Sequence, residues 1–301
     1  MRLVQLRTES GELKAGVLHG DQVEPLDVPV VNLIRMAGRA RVPLAVLVEA
    51  GRLASRTGGA ALIPYAALES EGRLAAPVLP EEVWGAGVTY RPSADFRDAD
   101  MGTASGIYGG VYRAERPELF FKATAARCVG PGQPIGLRYD ATFTAPEPEL
   151  AVVLGEGGQI VGYTLGNDVS AWSIERENPL YLPQSKIYSG CCALGPALVT
   201  AEGIRDPRAL QLHCRILRDG GCCFEASAGV SQMKREIPEL VAWLLRCNPA
   251  AAGTVLLTGT GIITPLPLAE GDVVEISCEA LGTLRNPCRI VDAGAPGGVL
   301  P

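Results

Sequence analysis

Six segments beyond residue 82 are short runs of aliphatic and β-branched residues. They are VWGAGVTY, ELAVVLG, QIVGYTLGND, LQLHCRIL, TVLLTGTGII and DVVEISCEALG. Such residues pack well on a pleated surface, and the Gly, Pro and Asp between the runs favour turns. The chain beyond this point is therefore predicted to be mainly β. One helix is predicted at 236–246, where apolar side chains recur at helical spacing.

The first quarter of the chain has a different pattern. Residues 1–27 alternate apolar and polar side chains around two turns, which predicts a small β-meander. Residues 30–56 have helical spacing interrupted at Pro43, and 58–80 is a linker rich in Pro, Gly and Ala with room for one short helix. We expect an α+β, predominantly β protein, with a small N-terminal α+β domain (1–78) and a larger, mainly β domain (79–301).

Charge and hydropathy exclude two classes of partner. The net charge is −6 and no Lys/Arg cluster is present, so a nucleic-acid partner is not expected. No stretch approaches the roughly 18–20 apolar residues of a membrane span, and the N-terminus turns polar too soon for a secretory signal. We expect a cytoplasmic protein with no membrane partner.

Cysteine and histidine usage removes several catalytic classes. The nine cysteines form no CxxC motif and are interpreted as mostly buried, reduced thiols. The two histidines, His19 and His213, lie in a predicted hairpin and a predicted strand. Ser/His/Asp hydrolysis, Cys/His proteolysis and His-rich metal sites are therefore not expected.

The segment 146–168 places acidic residues within two predicted strands. Glu147 and Glu149 are two residues apart, so both project from one face of a strand. A Gly-rich turn at 155–159 is expected to fold this strand back in antiparallel register, with facing positions summing to 315. Asp168 then lies opposite Glu147, on the face that carries Glu149.

Three carboxylates that converge repel one another, and a buried unpaired charge is costly. An all-oxygen set suits a hard cation, with Mg²⁺ first and Mn²⁺ or Ca²⁺ next. The alternative is that the Glu-x-Glu pair lies on a solvated strand face, but its apolar flanks favour the buried site.

Over 80–290 the chain resembles the fumarylacetoacetate hydrolase superfamily. The matching segments are GVTY (87–90), FFKAT (120–124), EPELAVVLG (147–155), GYTLGNDVSA (162–171), the lysine of LPQSKIY (182–188), LTGTGI (257–262) and GDVVEISCEALGTLRN (271–286). The resemblance implies that 79–301 is a catalytic domain with that superfamily's mixed β-roll fold and with Mg²⁺ or Mn²⁺ on Glu147, Glu149 and Asp168. It also implies small-molecule substrates with a 2-oxo acid or 1,3-dicarbonyl unit. It also leads us to expect a homo-oligomer, a dimer or a tetramer.

Three longer strings, at 112–124, 173–190 and 233–248, resemble the superfamily's dehydratase branch, which acts on 2-keto-3-deoxy sugar acids. Hydrolases of the superfamily carry the motif NYxxHxxE, whose His and Glu activate a water molecule. This chain has TYRPSADF, with Ser93 and Phe96 at those two positions. The resemblance implies water loss through a metal-stabilised enolate, from 2-keto-3-deoxy-D-arabinonate to 2,5-dioxopentanoate. The alternatives are a hydrolase or decarboxylase of acylpyruvates and related diketo acids, or a metal-stabilised binding protein without turnover.

Catalytic roles are assigned to three residues that the resemblance brings near the metal. Lys186 is the favoured base, because a desolvated lysine beside a cation has a lowered pKa. Lys122 is expected to hold substrate oxygens, and Glu118 to help water leave. The alternative for Lys186 and for Lys122 is an ordinary surface lysine, and for Glu118 it is an ordinary structural carboxylate.

Five further residues are predicted to contact the substrate: Tyr90, Ser93, Arg97, Thr258 and Thr260. The two threonines lie in a Gly-rich segment that lets the backbone approach the substrate carboxylate, or they form an ordinary strand end. The other three are assigned to a predicted mobile lid that spans roughly 91–112. There Arg97 either pairs with the carboxylate or hydroxyls of the substrate or lies solvated at the surface.

Overall fold

A computed structural model describes residues 1–55, 61–100 and 106–291. Its strands are β1 (Arg2–Arg7), β2 (Leu13–His19), β3 (Gln22–Pro25), β4 (Ile63–Pro64), β5 (Leu74–Ala75), β6 (Val83–Gly87), β7 (Glu118–Ala123), β8 (Cys128–Val129), β9 (Ile135–Arg138), β10 (Pro148–Leu154), β11 (Ile160–Asp168), β12 (Cys192–Thr200), β13 (Gln211–Arg218), β14 (Gly221–Gly229), β15 (Val255–Leu257), β16 (Val273–Cys278) and β17 (Gly282–Val291). Its α-helices are α1 (Val30–Ala40), α2 (Leu44–Ser55), α3 (Tyr65–Ser70), α4 (Arg91–Asp100), α5 (Ile107–Arg113), α6 (Trp172–Glu177), α7 (Leu182–Lys186) and α8 (Ile237–Leu244).

Two sheets organise the molecule. The larger runs in the order β4-β3-β2-β1-β12-β11-β10-β15-β6-β7, with β5 added to β1 and β8 to β12. The smaller has the order β14-β13-β16-β17-β9. The fold is thus sheet-dominated α+β, as the strand-rich sequence predicts.

The central strand β10 is buried on both faces, which explains its nearly continuous apolar sequence. Leu150 and Val152 contribute to one hydrophobic core, which they share with the smaller sheet and α8. Ala151 and Val153, pointing the other way, contribute to a second core that includes α1 and α2. The site described below lies at the end of the sheet where β10 begins and β11 ends.

The predicted N-terminal elements are present. The strands β1, β2 and β3 form an antiparallel meander, and Pro43 separates α1 from α2. The interval 61–80 contains the short helix α3 between two two-residue strands. However, β1 also pairs with β12, with Arg2 opposite Val199, so these strands extend the large sheet. The division into domains at residue 78 stays a prediction.

Other local predictions have clear outcomes. The helix predicted at 236–246 is α8, and the predicted lid at 91–112 contains α4 and α5, while 101–105 lie outside the described residues. Its mobility stays a prediction. All nine cysteines are free thiols and five are buried. Among the described helices, none is long and apolar enough to cross a membrane.

Candidate active site

The hairpin of β10 and β11 has the predicted register. Glu149 faces Gly166 and Pro148 faces Asn167, so facing positions sum to 315. The backbone continues one pair further, because the N–H of Asp168 donates to the carbonyl oxygen of Glu147 at 2.9 Å. Two carboxylates therefore face each other at the hairpin's open end.

Glu147, Glu149 and Asp168 form a buried carboxylate triad. One oxygen from each lies within 4.8 Å of the others, and the three residues are at most 3% exposed. Burial and the charges of Asp168 and Glu147 raise the pKa of Glu149 well above its ordinary value. A hard divalent cation relieves this repulsion and prefers oxygen ligands, so the donor set fits Mg²⁺.

Glu147 is held by three donors on one oxygen. Its Oε1 accepts from Arg97 Nη2 at 2.9 Å, Trp172 Nε1 at 2.8 Å and Lys186 Nζ at 3.0 Å. Burial on its own raises the pKa of Glu147, but Lys186 and Arg97 outweigh it and hold the pKa below its usual range. Glu147 is therefore a fixed, ionised carboxylate.

Lys186, the last residue of α7, points into the triad. Its Nζ lies 2.7 Å from Asp168 Oδ2 and 2.7 Å from Ser170 Oγ, and the side chain is buried. Burial lowers the pKa of Lys186, but the carboxylates of Asp168 and Glu147 more than compensate, so the net shift is upward. The lowered pKa expected from the sequence thus requires a cation that offsets these charges. A surface lysine is excluded.

Lys122, on β7, is fully buried behind the triad. Its Nζ donates to the carbonyl oxygens of Val169 (2.9 Å) and Lys186 (2.7 Å) and pairs with Asp168 Oδ1 at 2.6 Å. The alternative of a surface lysine is wrong here too. Contact with substrate oxygens stays a prediction, and these three contacts orient Asp168 and the end of α7.

Glu118 begins β7 and lines the same cleft as Lys186 and the carboxylate triad. It packs so closely on Gly87 that a Cβ there would lie 2.1 Å from Glu118 Oε2. Burial raises the pKa of Glu118, although Arg97 and Lys186 oppose the shift. A carboxyl group that stays protonated to higher pH is suited to donating a proton.

The five residues predicted to contact substrate fall into two groups. Ser93 and Arg97, both on α4, line the cleft together with Thr260. Tyr90 instead packs against Gly261, and the Thr258 hydroxyl donates to the Leu150 carbonyl oxygen at 2.9 Å. Substrate contact stays a prediction for all five.

Phe96, which stands where hydrolases of the superfamily place glutamate, belongs to an aromatic cluster. Its ring lies 5.5 Å from that of Trp172, which stacks on Phe143 at 5.6 Å between centroids. Neither Phe96 nor Ser93 provides a base for water at neutral pH.

Sequence reasoning missed Glu175. This buried residue of α6 pairs with Arg97 and accepts from the Tyr108 hydroxyl at 3.2 Å, and it lines the cleft. No local pattern marks it, because its partners come from a segment some 70 residues earlier in the chain.

Comparison with known proteins gives consistent relatives. The family model described as "Fumarylacetoacetate (FAA) hydrolase C-terminal" matches residues 104–289. The chain is 47% identical over 218 residues to 2-dehydro-3-deoxy-D-arabinonate dehydratase of Saccharolobus solfataricus, covering 71% of this chain and 73% of that protein. It is 48% identical over 217 residues to the probable 2-keto-3-deoxyxylonate dehydratase of Haloferax volcanii, covering 71% and 74% respectively.

A solved structure also matches over nearly the whole chain. It is that of a 2-keto-3-deoxy-D-arabinonate dehydratase complexed with magnesium and 2,5-dioxopentanoate. The TM-score is 0.80 at 36% identity, over 97% of this chain and 99% of that one.

Proposed function

We propose, from the premise that the chain belongs to the fumarylacetoacetate hydrolase family, that it is a magnesium-dependent dehydratase converting 2-keto-3-deoxy-D-arabinonate to 2,5-dioxopentanoate. The names of its relatives in Saccharolobus solfataricus and Haloferax volcanii support a dehydratase. The observation that carries the reaction type is the cleft itself. The cleft is lined by Lys186 and Glu118, which suit elimination. Ser93 and Phe96 stand at the sequence positions where hydrolases of the superfamily carry the His and Glu that activate a water.

Glu147, Glu149 and Asp168 are the residues that would hold the metal. Bound magnesium supplies a Lewis acid, which polarises the keto group of a 2-oxo acid and makes the C3 proton more acidic. Glu147 is ionised and ready for a cation, because Arg97 and Lys186 stabilise its charge.

Lys186 is the proposed base that takes the C3 proton. Its Nζ must be neutral to do so, and Asp168 and Glu147 oppose this as long as their charges are not offset. Lys122 acts as a positioning residue, because its contacts hold Asp168 on one side and the carbonyl of Lys186 on the other.

Glu118 is the proposed acid that protonates the departing C4 hydroxyl. The C3–H electrons form a C3=C4 bond as the C4–O bond breaks, and water leaves with the proton from Glu118. Shift of a proton from C5 to C3 then gives an enol, whose tautomerisation yields the C5 aldehyde of 2,5-dioxopentanoate.

Product identification tests this function. Proton NMR of 2-keto-3-deoxy-D-arabinonate with enzyme and Mg²⁺ is expected to show the aldehyde of 2,5-dioxopentanoate, with no product after EDTA and recovery with excess Mg²⁺. Cleavage or CO₂ release from an acylpyruvate or oxaloacetate as the main activity supports the hydrolase or decarboxylase alternative. Binding with no turnover of any 2-oxo acid supports a binding protein.

We also propose that the protein acts in the cytoplasm as a homo-oligomer, a dimer or a tetramer. Leu180 and Tyr181 are 84% and 40% exposed immediately before α7, which is consistent with a contact surface there. Light scattering after size exclusion is expected to give a multiple of the chain mass, and a monomer contradicts the proposal.

A further inference from the structure

The Glu175 carboxylate has one oxygen in use and one without a partner. Its Oε1 accepts from the Tyr108 hydroxyl at 3.2 Å and from Arg97. Its Oε2 is buried and has no hydrogen-bond partner among the described residues. The side chain is 4% exposed and lines the same cleft as Lys186 and Glu118.

A buried carboxylate oxygen without a partner is costly and calls for an explanation. Because Glu175 is ion-paired with Arg97, the missing partner is a hydrogen-bond donor rather than another carboxylate or a carbonyl group. The Arg97 guanidinium joins Glu175 to Glu147, so the free oxygen lies beside the carboxylate triad without belonging to it. This position suits the end of a substrate remote from its 2-oxo acid group.

We propose that Glu175 Oε2 accepts a hydrogen bond from the terminal C5 hydroxyl of the substrate, and so makes the site specific for hydroxylated 2-oxo acids. The inference rests on the proposed function. Such a substrate has two hydroxyl groups, and Glu118 serves the one at C4, which leaves the C5 hydroxyl as the remaining donor. Acylpyruvates have no hydroxyl group at this end and leave Oε2 unpaired.

Two unreactive ligands test the inference. 2-Oxopentanoate and 5-hydroxy-2-oxopentanoate differ only in the terminal hydroxyl, and neither has a C4 hydroxyl to lose. Calorimetry in saturating Mg²⁺ gives their Kd ratio for the wild type, Glu175→Ala and Glu175→Gln. Ring closure of the hydroxy ligand in solution changes its apparent Kd by the same factor for every protein, so the factor cancels when the Kd ratios are compared.

The Kd ratio in favour of the hydroxy ligand is expected to be at least about tenfold larger in the wild type than in Glu175→Ala, because a hydrogen bond to a charged group is lost. Glu175→Gln preserves the shape of the side chain and tests the inference if the alanine variant does not fold. In this variant the preference for the hydroxy ligand is expected to fall about threefold or more. Tyr108→Phe removes a hydroxyl that donates to Oε1 of Glu175 and leaves the carboxylate in place, so it is expected to keep the preference.

Three results overturn the inference. They are a hydroxyl preference within twofold of wild type in both Glu175 variants, its loss in Glu118→Gln instead, or no binding of either ligand to the wild type. Because the binding comparison involves no water loss, its result can be interpreted even if the dehydratase assay shows no product. A confirmed dehydratase with an unchanged preference removes only the role of Glu175.

Discussion

Glu149 differs from the other two carboxylates of the triad. Glu147 and Asp168 contact lysine or arginine side chains at 3.0 Å or less. Among the described residues, the hydrogen bond to Glu149 comes from the backbone N–H of Gly259 at 2.6 Å. Glu149 therefore depends most on a cation that the protein itself does not supply.

Replacing Glu149 with glutamine removes one negative ligand and is expected to abolish stoichiometric Mg²⁺ or Mn²⁺ binding by calorimetry, together with turnover. Saturating Mg²⁺ should raise the Tm of the wild type, since a ligand of the native state stabilises it, but leave the variant unchanged. The exposed Glu202→Gln is the control and should behave as wild type. Full activity of Glu149→Ala after exhaustive chelation contradicts the metal assignment.

The base role of Lys186 predicts a separable loss. Lys186→Met should retain metal binding but lose about 10²–10⁴ in turnover, the usual contribution of general-base catalysis. Deuterium exchange at C3, followed by NMR in D₂O, should fall in parallel, while Lys14→Met serves as a remote control. Unchanged exchange in the variant assigns the proton transfer to Lys122 or Glu118.

The raised pKa of Glu118 gives the pH dependence a sign. The acid must be protonated, so the titration of Glu118 should make kcat fall as pH rises through its pKa in the folded protein. This alkaline limb lies above the ordinary glutamate range because burial raises the pKa. Glu118→Gln should lower kcat and remove that limb, and a wild-type limb that persists in the variant rules out this role.

At the level of elements, the hairpin was the most predictable part of the site. The alternating pattern and the glycine turn specify which face each residue occupies, and a register error of one residue moves every side chain to the opposite face. The partners of Lys122 and Glu175 were not predictable in this way. Their contacts bridge segments that are far apart in sequence, and local periodicity carries no information about such pairs.

The turn after β15 supports Glu149 through Gly259. This residue has φ +96°, and a Cβ there would lie 2.0 Å from Thr89 Oγ1. Gly271 has a similar φ of +88° but open space around it, which makes it a matched control. Both alanine variants incur the left-handed backbone cost of about 1–2 kcal/mol.

Gly259→Ala should lose at least about 1 kcal/mol more unfolding free energy than Gly271→Ala, because steric overlap adds to backbone strain. It should also weaken metal binding, since the Gly259 N–H then shifts away from Glu149. Urea denaturation measures the first effect and calorimetry the second. Equal destabilisation by the two variants shows that the contact with Thr89 is unimportant.

At the scale of the whole molecule, the strand-rich pattern predicted the fold class and the resemblance predicted the family. Neither the pattern nor the resemblance predicted that the N-terminal meander joins the large sheet through the pairing of β1 with β12. Edge pairing of this kind depends on complementarity between residues some 200 positions apart, such as Arg2 and Val199. A second long-range contact, from Arg97 of α4 to Glu147, brings that helix to the carboxylate triad.

The proposed site eliminates water from its substrate and does not add water across a carbon–carbon bond. The most direct test compares kcat/KM for 2-keto-3-deoxy-D-arabinonate and for an acylpyruvate, in the same Mg²⁺ buffer with one preparation of enzyme. We expect the sugar acid to be favoured at least ~100-fold, about 2.7 kcal/mol in transition-state stabilisation, because Ser93 and Phe96 leave water unactivated. Comparable kcat/KM values for the two substrates, or no product from any 2-keto-3-deoxy acid, contradict the dehydratase function.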